Sequence, residues 1–172
     1  MTAPREDLLA QLPALIAVAI KETLPHLQDC SGMVGGFDIE ELKRQGLRAP
    51  AVRVSRLGVS AMSGYAGPHR RFGVGMAAFV ITKDQMGLPR DIAMSNIVAA
   101  LLQMIPDNCW GETGVGAAEQ VEERVLVNRE ARQITASLSA VTWRQPVTLA
   151  PLPEGEALPI EFYTTGLGEE GS

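Results

Sequence analysis

PAVRVSRLGVSA, residues 50–61, and FGVGMAAFV, residues 72–80, together decide how this chain folds. In the first stretch Val52 and Val54 alternate with Ala51, Arg53 and Ser55, and past Arg56 the apolar phase slips to Leu57, Val59 and Ala61. Period two is strand geometry. A slip inside a long strand marks a bulge or bend, because one extra residue turns every following side chain to the other face. In the second stretch Phe72, Val74, Met76, Ala78 and Val80 hold one phase and form the inward face of a partner strand. Between them SGYAGPHRR, 63–71, has the composition of a turn, so the pair predicts a hairpin. Gly73 and Gly75 fall together on its outward face and leave bare backbone there, for a crossing loop, a bend or a docking surface.

Toward the N-terminus, Leu8, Leu9, Leu12, Ile16, Ala19 and Ile20 recur at helical spacing between Arg5-Glu6-Asp7 and Pro25, which predicts an amphipathic helix over 4–24 with a possible kink at Pro13. Residues 25–37, with Pro25, Gly32, Gly35 and Gly36, read as loop or a short strand. Asp38 then caps a short helix through Gln45 that Gly46 ends.

Beyond the hairpin, DQMGLPR, 84–90, reads as a loop. Asp91 to Ile105, with Ile92, Ile97, Val98, Leu101, Leu102 and Ile105, reads as a helix with a narrow polar face, mostly buried and capped by Asp91. After a Gly-rich loop at 106–118, two more strands are expected. One turns Val121, Val125 and Val127 inward. The other turns Ile134, Ala136, Leu138 and Ala140 inward and Gln133, Thr135, Ser137 and Ser139 to water, with a turn at 129–132. The expected architecture is α+β: an antiparallel sheet of about four strands in two hairpins, with two main helices packed on one face. Residues 1–149 form one domain, and 150–172 a flexible tail or extended arm.

A chain of 172 residues, 46% apolar and 20% charged, has the profile of one soluble domain with a core, and not of a disordered, collagenous or solenoid chain. Cys30 and Cys109 are too few for a disulfide framework, which makes a reducing compartment the default. All 15 Lys and Arg lie in residues 1–149 beside 15 of the 20 acids, so the whole net charge of −5 sits in the tail, as Glu154, Glu156, Glu161, Glu169 and Glu170. A neutral body gives no electrostatic footprint for specific nucleic-acid binding. Leu12 to Ile20 is too short to span a bilayer, and no membrane partner or targeting segment is expected. Among the cations 12 are Arg, the planar donor favoured at protein interfaces.

Catalytic motifs fail one by one. GETGVGAA, 111–118, begins like a phosphate-cradling loop, but Ala117 and Ala118 stand where Lys and Ser or Thr are required. His26, Asp29 and Cys30 form at most a corner of a metal site and read better as surface loop and half-buried thiol. Ser63 lacks the leading Gly of a nucleophile elbow. Asp84 and Asp91 flank a loop as a conceivable carboxylate pair. No catalytic residue, cofactor or metal is therefore expected.

What remains are interface candidates. His69, Arg70 and Arg71 form a basic turn tip. Trp110, in a loop, and Trp143, on the polar-facing side of the last strand, are either packed in the core or anchor a subunit contact. Leu158, Ile160, Phe162 and Tyr163 give the acidic tail a hydrophobic hook for a neighbour, with Phe162 and Tyr163 as its anchors.

GFDIEELKRQGLRAPAVRVSRLGV, 36–59, with its short acidic helix, Pro-Ala-Val start of a strand and Leu-Gly, resembles the small tail proteins of Mu-like phages and prophages, a family of tail terminators. ITASLSAVTWRQPV, 134–147, is similar in character, and the resemblance covers roughly residues 5–149. It implies a subunit without an active site that forms a ring, commonly a hexamer, on the head-proximal end of the tail tube. The ring stops tube growth and offers a surface to the neck or head-completion protein. The location implied is the virion tail, assembled in the bacterial host cytoplasm. Other readings are a neck, head-completion or minor tail protein, or a small ligand-binding domain or enzyme using the 69–71 turn and the 106–118 loop.

Overall fold

The computed structural model describes residues 7–33, 35, 36, 38, 40, 46, 48–64, 67–126, 136–152 and 155. Its elements are α1 (Leu8–Thr23), β1 (Asp29–Met33), β2 (Ala51–Ala61), β3 (Arg70–Lys83), α2 (Arg90–Met104), β4 (Glu119–Val125) and β5 (Ala136–Leu149). The strands form one mixed sheet in the order β1-β2-β3-β5-β4. The pair β1–β2 is parallel, and β2–β3, β3–β5 and β5–β4 are antiparallel. The chain is thus α+β, with five strands where about four were expected and with one parallel pair.

The additional strand is β1. It falls in 25–37, read as loop or a short strand, and the structure makes it a strand, although its sequence, DCSGM, has no apolar alternation and all five residues are half-buried. Tertiary contacts hold it in the sheet. Both terminal guanidinium nitrogens of Arg53 on β2 donate to Asp29, at 2.7 Å each, and Nη1 donates to Ser31 Oγ as well. From the other side α1 presses its backbone onto Gly32. A Cβ there would stand 2.6 Å from the Ala14 nitrogen and 2.8 Å from the Pro13 carbonyl carbon. Only glycine admits a helix this close to a strand.

In α1 the buried positions Leu8, Leu12, Pro13, Ile16, Ala17 and Ile20 follow the expected stripe. The slip in β2 is a bulge: the register with β3 shifts between Arg56 and Gly58. Val52, Val54, Val74, Met76, Ala78, Val80, Val141, Trp143 and Val147 make the sheet's contribution to a core shared with both helices.

The phase of β5 is the reverse of the expected one. Ser139, Val141, Trp143 and Gln145 lie opposite Val80, Ala78, Met76 and Val74, and therefore on the helix-covered face. Ala136, Leu138 and Ala140 are buried on the other face. The expectation placed the hydroxyl row, and with it Trp143, in water because it took β5 for a half-solvated strand. As the second strand from the edge, β5 is instead paired on both sides. Ser139 is buried at no hydrogen-bonding cost, since its Oγ donates to Glu123 Oε1 at 2.8 Å. In β4 Val121 is half-buried and Val125 is 72% exposed, so its valines do not form the inward row assigned to them. The strand is an edge, and Gln120, at φ 55°, breaks its phase. Val127, Gln133, Ile134, Thr135 and the 129–132 turn lie outside the described residues.

Helix α2 is less buried than its composition implies. Ala93, Met94, Val98 and Leu101 are buried, while Ile92 is 52% exposed and Leu102 lies at the surface. Its start is also different from the expectation. Pro89 holds the cap position, Asp84 Oδ1 accepts the Arg90 N–H at 3.0 Å, and Asp91 in the first turn accepts the Ser137 hydroxyl at 2.7 Å. Asp38 Oδ1 accepts the Glu40 N–H at 2.8 Å and Gly46 has φ 67°. The body of that segment, 41–45, and residues 1–6 lie outside the described residues.

Candidate interaction site

The face of the sheet turned away from the helices has two unlike ends. Near Ala51, Arg53, Ser55, Ala77, Ile81, Leu138 and Ala140 it is buried. Beyond the bulge it opens into a groove of about 960 Å³, whose floor includes Gly58, Gly73 and Gly75 and which Leu57 borders on one side and Gln120 and Glu122 on the other. Three features of the sequence build it. Strand β1 ends opposite Ser55, so β2 from Arg56 to Ala61 has no second strand beside it among the described residues. The bulge brings Leu57 over the floor, its Cβ 3.6 Å from where a Gly75 side chain would begin. Leu57 is 58% exposed and Val59 43%. Arg144, opposite Gly75 on β5, lies flat over Gly73, where an added Cβ would stand 2.1 Å from its Nε. The bare backbone over Gly73 is thus covered by an arginine, neither by a loop nor by a bend. The one carboxylate near Arg144 among the described residues is Glu119, at 3.8 Å.

Arg70 and Arg71 are the first residues of β3, not a turn tip, and both are exposed. Arg71 shares the groove face and extends its guanidinium over Gly116, 3.4 Å from where a Cβ would be. His69 is half-buried just ahead of them. Trp143 is 3% exposed and belongs to the core. Trp110 is partly buried with its ring centroid 6.3 Å from that of Trp143. Phe162 and Tyr163 lie outside the described residues.

The two indoles meet at a side chain the sequence reading passed over. Gln145 is fully buried, and its Oε1 accepts the Trp110 Nε1–H at 2.8 Å and the Trp143 Nε1–H at 2.9 Å. Its Nε2 donates to the carbonyls of Gly116, at 2.5 Å, and Asn108, at 3.0 Å. Four bonds from one amide clamp the 106–118 loop onto β5, a saturated arrangement for a glutamine. That loop also pairs with the strand end: Gly116 N–H donates to Pro146 and Thr148 N–H to Gly114. The signal was a glutamine at a core phase two residues after a tryptophan, legible only once the phase of β5 is right.

The residues weighed for chemistry are engaged structurally. Asp29 is bound by Arg53, and Cys30 donates its S–H to the Ala17 carbonyl at 3.2 Å. Burial pushes the Cys30 thiol up to about 11, against the opposing pull of Lys21. His26 is exposed. Among the described residues no group of three or more His, Cys, Asp or Glu is placed to hold a metal ion. No described helix is long and apolar enough to cross a membrane. The chain matches no known family pattern and no characterised protein in sequence.

Proposed function

We propose that the chain is a structural tail protein that closes as a ring, a hexamer in the family it resembles, on the head-proximal end of a phage tail tube. There it ends tube growth and presents a surface for head or neck joining. It is assembled in the bacterial cytoplasm and carried in the virion tail. The observation that carries this reading is the unlikeness of the two sheet edges. Strand β4 faces outward with Glu119, Glu122 and Glu123 beside Arg124, nearly all of it exposed. The free end of β2 offers Arg56, Leu57 and Val59. Like charge opposes β4 pairing with a second β4, and opposite charge favours β4 against β2. A contact between two different edges of identical subunits is heterologous, and it yields a ring when the rotation closes. A neutral body lets DNA pass through such a ring without adhering.

Electron microscopy of tail tubes mixed with the purified chain, together with light scattering of the chain alone, tests the proposal. Rings in solution, or a monomer that rings only on tube ends, agree with it; a stable monomer that never decorates tubes overturns it. Replacing His69, Asp84 and Asp91 together by Ala separates assembly from chemistry. Normal rings with overlong or headless tails fit a structural role, and normal rings with loss of a substrate conversion contradict it.

A further inference from the structure

We infer that the groove over Gly58, Gly73 and Gly75 is the seat of the chain's own C-terminal segment Glu156–Tyr163, folded back from the end of β5. Strand β5 ends at Leu149, opposite Arg70, three residues along β3 from Gly73 and so about 10 Å from the groove. The six residues 150–155 reach at most about 20 Å extended, enough for the return. They contain Pro151, Pro153 and Gly155, and Gly155 has φ 80°, the left-handed conformation of a chain reversal.

The segment that follows, EALPIEFY, carries Glu156, Leu158, Ile160 and Phe162 on one side when extended, and it belongs to a tail with five Glu and no basic residue. The groove offers the complement. Arg71 stands at the end nearest Leu149 and has no carboxylate within ion-pair distance among the described residues, and Arg144, with Glu119 at 3.8 Å, reaches from its place opposite Gly75 back over Gly73. The exposed Leu57 stands at the far end, and Gly58 and Gly75 beside it leave bare backbone on which a side chain can lie. Glu156 therefore meets the arginines first, and Ile160 and Phe162 reach the apolar wall. Because Pro159 lacks an N–H, the segment lies across the face instead of extending the ladder as a regular strand.

The test uses the full-length chain with Phe162 replaced by the photoreactive benzoylphenylalanine, irradiated dilute and without tubes, so that it is independent of the ring proposal. Mass spectrometry is expected to find crosslinks within one chain to residues 57–60 or 73–76. Their yield should fall at least about five-fold, equivalent to roughly 1 kcal/mol, in Gly75→Trp, which fills the floor, and in Arg144→Gln, which removes a cation. Melting temperatures of both variants, measured alongside, confirm that the fold persists; Arg144→Gln suffices if Gly75→Trp does not fold. Crosslinks elsewhere, none at all, or crosslinks only between chains with a yield that rises with concentration would overturn the inference.

Discussion

The two ends of this sheet are made from the same strands and do opposite things. At one end Ala51, Ser55, Ala77, Ile81, Leu138 and Ala140 are buried on the face away from the helices, so that β2, β3 and β5 are enclosed on both sides. At the other end the same strands keep the helix-facing core of Val74, Met76, Trp143 and Val147, while the reverse face is glycine, arginine and an open groove. The bulge at Arg56–Gly58 and the end of β1 opposite Ser55 mark the change. An end enclosed on both faces contributes stability and offers nothing to a partner. An end enclosed on one face can hold its shape through that face and leave the other for recognition.

The largest effect should come from the enclosed end. Gly32→Ala puts a Cβ against the α1 backbone, which cannot rotate away, and is expected to destabilise by about 3 kcal/mol in denaturant unfolding, with β1 losing protection in hydrogen exchange. If the loss is below about 1 kcal/mol, the helix is not seated on β1 as described. Next comes the clamp beneath the open end. Gln145→Leu leaves two indole N–H groups and the Asn108 and Gly116 carbonyls without their partner, and should cost about 2–3 kcal/mol, with the 106–118 amides exchanging faster.

Arg53→Met removes the fork that ties β1 to β2 and strands Asp29, which is partly solvated, so about 2 kcal/mol is expected, with Asp29→Ala adding little on top. Smaller still is the pH dependence that Cys30 imposes. The folded thiol, raised to about 11 from 9.0, stays protonated where the unfolded one ionises. Its contribution is therefore complete below pH 9 and is lost as the pH rises from 9 to 11. Comparison with Cys30→Ala over that range isolates it. Last, Leu57→Ser on the open end should change stability by no more than about 0.5 kcal/mol. A loss beyond about 1.5 kcal/mol would mean that the groove wall is core and that the two ends are not distinct.

The hairpin of β2 and β3, its bulge and the inward stripe of α1 were legible because each rests on a long periodic run whose apolar residues meet one environment. Strand β1 was legible only as one of two readings, loop or short strand, because DCSGM carries no pattern of its own and is held by Arg53, 24 residues away in sequence at Asp29, and by a helix on Gly32. The inverted phase of β5 has a related cause. ASLSAVTW alternates small apolar and hydroxyl residues, and either row can be buried once the hydroxyls find partners, so the choice depends on which neighbours flank the strand. Of the candidate site, Gly73, Gly75, Arg70 and Arg71 stood out in the sequence, whereas Leu57, Arg144 and Gln145 acquire their roles only through register.

The sequence by itself determined that the chain is α+β, that a bulged hairpin lies at its centre, and that its negative charge is confined to the tail, since periodicity and composition are local properties. The tertiary structure decided the fifth strand, the face that β5 gives to the helices and the place where the sheet is left open. Each of these depends on which distant residue stands across the ladder, and no local pattern encodes that.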